Sequence, residues 1–136
     1  MESAVMQVAR QAQHHSYSPY SRFKVGAAVE AEDGYIFAGT NIENASYGLT
    51  ICAERVAAFN LVMSRRRKIK QVVVVTDEEQ ITAPCGACRQ VLWEFGDKDT
   101  VVIGVNHQTS KQWTLGELLP HAFGPANLLA LGGTDD

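Results

Sequence analysis

The chain has 136 residues, 46% apolar and 20% charged, which fits one globular domain, spanning residues 1–136, that buries a core without disulfide staples. A net charge of −3 gives it no general attraction for a polyanion, and no run approaches the roughly 18 apolar residues of a membrane span. The three cysteines are an odd number, and the N-terminus shows no basic segment followed by an apolar one, so thiols kept reduced in the cytoplasm are expected rather than a disulfide framework.

Val5, Val8, Ala9 and Ala12 at helical spacing predict a first helix over residues 2–14, ended before Pro19. Phe23, Val25, Ala27 and Val29 alternate with Lys24, Gly26, Ala28 and Glu30, which predicts a strand with one buried face. Glu32-Asp33-Gly34 reads as a hairpin turn, and residues 35–41 as the returning strand. Residues 42–51 read as loop. From Cys52 to about Ser64 the apolar residues cover most of a helix circumference, which predicts a central, largely buried helix.

Val72-Val73-Val74-Val75 is a β-branched run suited to a strand covered on both faces. A second helix is expected from Gly86 to Phe95, stopped by Gly96, then a strand over Val101–Val105 and a short one around Trp113. Leu115 to Leu119 reads as a helical turn, and residues 126–136 as a small helix and a loose acidic tail. Strand–helix–strand order predicts an α/β chain: a three-layer α/β/α sandwich with a mixed sheet of about five strands.

The chemistry-bearing residues are Cys52-Ala53-Glu54 and Pro84-Cys85-Gly86-Ala87-Cys88. Three thiolates with no fourth ligand in sight predict a catalytic zinc, one per chain, because structural zinc is usually closed by four ligands. The cysteines fall at expected helix starts, where unpaired N–H groups favour negative charge. None of His14, His15, His107 and His121 has ligand spacing to them, although a structural zinc completed by a histidine is the competing reading.

Glu54 as a ligand would close the open position, so it is assigned as the proton shuttle. The plainer alternative is a glutamate that only complements the helix dipole. Arg55 is either a surface arginine or a guanidinium that donates to the sulfurs, useful because three thiolates on Zn²⁺ sum to −1. This is the three-cysteine pattern of a zinc-dependent nucleobase deaminase.

The chain also resembles the cytidine deaminase family of the small, homotetrameric kind. The likeness rests on Tyr17–Ala28, on Asn41-Ile42-Glu43-Asn44-Ala45, on Cys52-Ala53-Glu54-Arg55, on Pro84–Val91, and on Leu118-Leu119-Pro120 followed by Phe123-Gly124-Pro125. It implies a free nucleoside substrate, cytidine or deoxycytidine, deaminated to uridine or deoxyuridine with release of ammonia in pyrimidine salvage. It also implies that Asn41 and Glu43 bind the sugar hydroxyls, that Phe23 lies beside the pyrimidine, and that the Ala53 N–H meets the base carbonyl. Tyr47 and Phe123 would reach into a neighbouring subunit's site.

Three rivals are weighed. A polynucleotide-editing deaminase would draw on Arg65-Arg66-Arg67-Lys68-Ile69-Lys70, which holds five of the 12 basic residues; the plain reading is a solvated end to a helix. A zinc-stapled nucleoside sensor would have no use for Glu54. A deaminase for a modified nucleoside would share the zinc site without needing Asn41 and Glu43.

Overall fold

A computed structural model describes residues 2–129. The elements run α1 (Ala4–Gln13), β1 (Gly26–Ala31), β2 (Ile36–Thr40), α2 (Ala53–Met63), β3 (Ile69–Val75), α3 (Gly86–Phe95), β4 (Val101–Val105), β5 (Ser110–Thr114), α4 (Leu115–Leu118) and α5 (Pro125–Leu129). The expected acidic tail after residue 129 lies outside the described residues. One five-stranded sheet has the order β2-β1-β3-β4-β5. Only β3 and β4 pair in parallel, with α3 as the crossover between them, and the other pairs are antiparallel. The mixed sheet of five strands is the one expected.

Two buried clusters flank the sheet. Val5 and Ala9 of α1 pack with Ala28, Val73 and Val75 on one face. Ala53, Ala57 and Leu61 of α2 and Leu92 of α3 pack with Ala27, Val29, Val72 and Val74 on the other. All four valines at 72–75 are thus buried, each contributing roughly 1.5–3 kcal/mol, which makes β3 the anchor of the fold. Glycine lets the helices come close. A Cβ on Gly26 would stand 2.0 Å from Ala9 O of α1, and one on Gly39 would stand 2.3 Å from Ala57 N of α2.

Two expectations change. Strand pairing starts at Gly26, so Phe23 and Val25 lie in the extended approach to β1, and β1 is buried on both faces because its small residues sit under α1 and α2. Helix α2 is not covered all round. Ala53, Glu54, Ala57, Ala58 and Leu61 are buried, whereas Phe59 is exposed and Met63 is 83% exposed. Gly96 stops α3 as expected, in an extended conformation (φ −119°), and a side chain there would meet Thr100 Oγ1.

The basic run ends α2 in local contacts. Arg67 Nη1 donates to the Val62 and Arg66 carbonyls, and Arg66 pairs with Asp33 at 3.0 Å over the Tyr35 ring. Among the described residues, no helix is long and apolar enough to cross a membrane.

Candidate active site

Helices α2 and α3 both begin at the same place. Cys52 is the residue that precedes α2, Cys85 precedes α3, and Cys88 lies in the first turn of α3. Neither Cys52 nor Cys85 makes a side-chain capping bond, so the orphan N–H groups of two helix starts surround the sulfurs. Cys85 Sγ lies 4.0 Å from Cys52 Sγ and 3.4 Å from Cys88 Sγ. All three are free thiols with sulfurs within 4.8 Å of one another, and no histidine or carboxylate joins the cluster among the described residues.

A tetrahedral zinc with bonds of about 2.3 Å needs its sulfurs about 3.8 Å apart, so this donor set fits the ion. The surroundings fit it too. Arg55 Nη2 donates to Cys52 Sγ at 3.4 Å, while its buried Nε has no hydrogen-bond partner among the described residues. A guanidinium left partly unpaired against sulfur suits an anionic cluster.

The sulfurs are electrically unequal. The Cys88 thiol donating to Cys52, together with the Arg55 guanidinium, pulls Cys52 down to about 5, whereas that same bond, with burial, pushes Cys88 up. A divalent cation among them favours the thiolate of all three.

Glu54, 6% exposed, points from the first turn of α2 into the same space, and burial pushes its carboxyl up to about 7. It is one wall of a cleft of about 400 Å³ that Cys52, Ala53, Cys85, Phe23, Asn41 and Glu43 also line. Ala53 opens α2, so its N–H has no partner inside the helix.

At the far end of the cleft the polar side chains are already engaged. Asn41 Oδ1 accepts from Val25 N–H at 3.0 Å and its Nδ2 donates to the Phe23 carbonyl at 2.7 Å. Glu43 accepts from the Tyr20 and Ser21 N–H groups at 3.0 and 3.1 Å and from the Ser21 hydroxyl. That hydroxyl above all, opposed by desolvation and helped by the two N–H groups, holds the Glu43 carboxyl below its usual range.

Tyr47 and Phe123 are not brought to this cleft. Tyr47 is 80% exposed in a 3₁₀ turn (Tyr47–Leu49), beside an adjoining hollow that it shares with Tyr20 and Glu43. Phe123 is 58% exposed, with its carbonyl fastened by Gln90 Nε2 at 2.8 Å.

Sequence reasoning missed Thr76, Glu78 and Thr82, which line the cleft. The signal for Thr76 was its place just after β3, since α/β crevices open at the carboxyl ends of parallel strands. Glu78 sits on a loop held by Asn106, whose Nδ2 donates to the Glu78 and Glu79 carbonyls, and nothing in the sequence marks that contact.

Comparison with known proteins agrees with the geometry. Residues 1–104 match the family described as the cytidine and deoxycytidylate deaminase zinc-binding region. A cytidine deaminase from Halalkalibacterium halodurans is 50% identical over 114 residues, covering 83% of this chain and 86% of the relative. The crystal structure of a cytidine deaminase from Burkholderia pseudomallei, 43% identical, superposes with a TM-score of 0.86 over 90% of this chain and 99% of that one. One from Mycobacterium tuberculosis, 40% identical, gives 0.77 over 88% and 94%.

Proposed function

We propose that this chain, which belongs to the cytidine and deoxycytidylate deaminase family, hydrolyses the exocyclic C–N bond of cytidine and deoxycytidine, giving uridine or deoxyuridine and ammonia. The observation that carries the reading is the meeting of Cys52, Cys85 and Cys88 in one cluster, with Cys52, Cys85 and the buried Glu54 lining a single cleft.

Cys52, Cys85 and Cys88 would hold one zinc ion, which would supply Lewis acidity toward the attacking water. Glu54 takes one proton from that water as its oxygen bonds to C4 of the pyrimidine and delivers it to N3; it then takes the proton of the new C4 hydroxyl and gives it to the exocyclic amine as the C4–N bond breaks, leaving the C4 carbonyl and ammonia. Burial suits it to this work, because a carboxyl withdrawn from solvent both accepts and returns a proton near neutrality. Arg55, donating to Cys52, offsets the surplus negative charge of three thiolates. Ala53 N–H orients the base carbonyl, Phe23 lies against the ring, and Asn41 with Glu43 hold the sugar.

Charge around the cleft favours an uncharged nucleoside over a nucleotide or a polynucleotide. Glu43, Glu54 and Glu78 line it and, among the described residues, no lysine or arginine does, so a phosphate entering there meets carboxylates without a compensating cation from its walls. The basic run offers little to an editing deaminase, since Arg66 and Arg67 are bonded to the chain's own groups.

Tyr47, Phe123 and the open face of α2 at Phe59 and Met63 support a homotetramer with sites shared between subunits. The chain works as one domain in cytoplasmic pyrimidine salvage. The deciding experiment measures zinc per chain and ammonia released from cytidine, deoxycytidine, cytosine, adenosine, cytidine monophosphate and an oligonucleotide. Turnover of the two nucleosides with one zinc per chain is expected. Turnover confined to another member of the panel, or none by zinc-replete protein, overturns the proposal.

A further inference from the structure

Between α1 and β1 the chain wraps around residues 41–43. Tyr17 N–H donates to the Asn41 carbonyl at 3.1 Å, and Glu43 N–H donates to the Tyr17 carbonyl at 2.8 Å. Inside this wrap the Asn41 side chain is 7% exposed. Two backbone groups fix which way its amide points. Val25 N–H can only donate, so it meets Oδ1; the Phe23 carbonyl can only accept, so it meets Nδ2. One lone pair on Oδ1 and one N–H are then left.

Ser16 Oγ lies 2.6 Å from that Oδ1. Since Oδ1 cannot donate, the hydroxyl proton of Ser16 is committed to it. Ser18 Oγ, 2.9 Å from Ser16 Oγ, supplies the next hydrogen in the chain. Ser16 thereby fills the last acceptor position of Asn41. What the amide retains is a single N–H, on a residue that lines the cleft.

We propose that Ser16 is a positioning residue for the sugar end of the cleft: by closing Oδ1 it holds Asn41 as a hydrogen-bond donor only. The inference rests on the reading that Asn41 meets a sugar hydroxyl. With Ser16 in place, the group facing Asn41 must accept. Without it, Oδ1 regains an open lone pair, the amide is held by two bonds instead of three, and its preference for an accepting oxygen weakens. Among the described residues Ser16 makes no hydrogen bond to the cysteine cluster and does not line the cleft, so its removal leaves the chemical step alone.

The test compares Ser16→Ala, Ser16→Thr and Asn41→Ala, each zinc-loaded, with cytidine and 3′-deoxycytidine. Ser16→Ala raises KM for cytidine about threefold to tenfold, the range of one lost hydrogen bond, with kcat within about twofold. Ser16→Thr, which keeps the hydroxyl, stays near the parent value. With 3′-deoxycytidine, which lacks the accepting oxygen, the effect of Ser16→Ala disappears. An equal rise with both substrates means that Ser16 only supports the fold, and overturns the proposal. So does an unchanged KM in Ser16→Ala beside a raised KM in Asn41→Ala. An unchanged KM in Asn41→Ala removes the sugar-binding reading itself, and the role of Ser16 falls with it.

Discussion

At the cysteine end of the cleft polar groups are left over; at the Asn41–Glu43 end nearly all are used. Three thiols crowd together, Arg55 Nε has no partner among the described residues, and Glu54 is buried where its charge is costly. By contrast, Asn41 and Glu43 are held by nine bonds with residues 16–25. A cation site must keep surplus ligands, and the ion's charge organises them on arrival. A site for a neutral sugar gains more from being finished beforehand, because a flexible side chain would have to be ordered at the expense of binding.

The sharpest way to break this contrast is Glu54→Gln. It keeps the fold and the zinc but removes a proton carrier, so kcat falls about 10²–10⁴-fold. A variant that retains most of its turnover, with substrate-saturated rates compared at equal zinc content, takes Glu54 out of the mechanism.

Next comes Cys88→Ala. Its sulfur is fully buried at the joint between α2 and α3, so metal and stability leave together. Metal analysis should find less than one zinc per chain and a scan should find a lower Tm. Full zinc occupancy with an unchanged Tm would show that Cys88 is not needed to hold the ion.

Ser21→Ala sharpens the other side. Hydrogen bonds to the ionised form depress the Glu43 pKa below 4.5, so the carboxylate is present above that range and is lost only as pH falls through it. Removing the Ser21 hydroxyl moves the midpoint upward toward 4.5, readable as the carbon-13 shift of the Glu43 carboxyl during an acid titration. A midpoint that does not move would mean that the two N–H groups do the work alone.

The smallest effect belongs to Arg65→Ala, in the basic run but outside both ends of the cleft. Turnover of cytidine should be unchanged, and stability should stay within about 0.5 kcal/mol. A large loss of activity would reopen the editing alternative.

How much the sequence disclosed follows the same division. The cysteine end was legible because its residues lie in two short motifs at helix starts, and a spacing of three residues within one helical turn fixes where Cys85 and Cys88 point. The valine run of β3 was legible because β-branched residues in a row have few other uses. The start of β1 was not, since period two continues through Phe23 and Val25 without showing that pairing begins only where Gly26 lets α1 press down. Phe59 and Met63 misled for another reason: apolar composition cannot tell a face buried in the core from one left open. Ser16 gave no sign, because its contact with Asn41 spans 25 residues and serine is common in loops.

The grip on the ion by two separate helices also sets a timetable for translation. Cys52 leaves the ribosome 36 residues ahead of Cys88, a delay of roughly 2–7 s at about 5–20 residues per second. Through that interval a lone thiol holds no zinc tightly. Metallation therefore waits until β3 and the opening of α3 have emerged, and any product truncated before Cys85 is born without its metal.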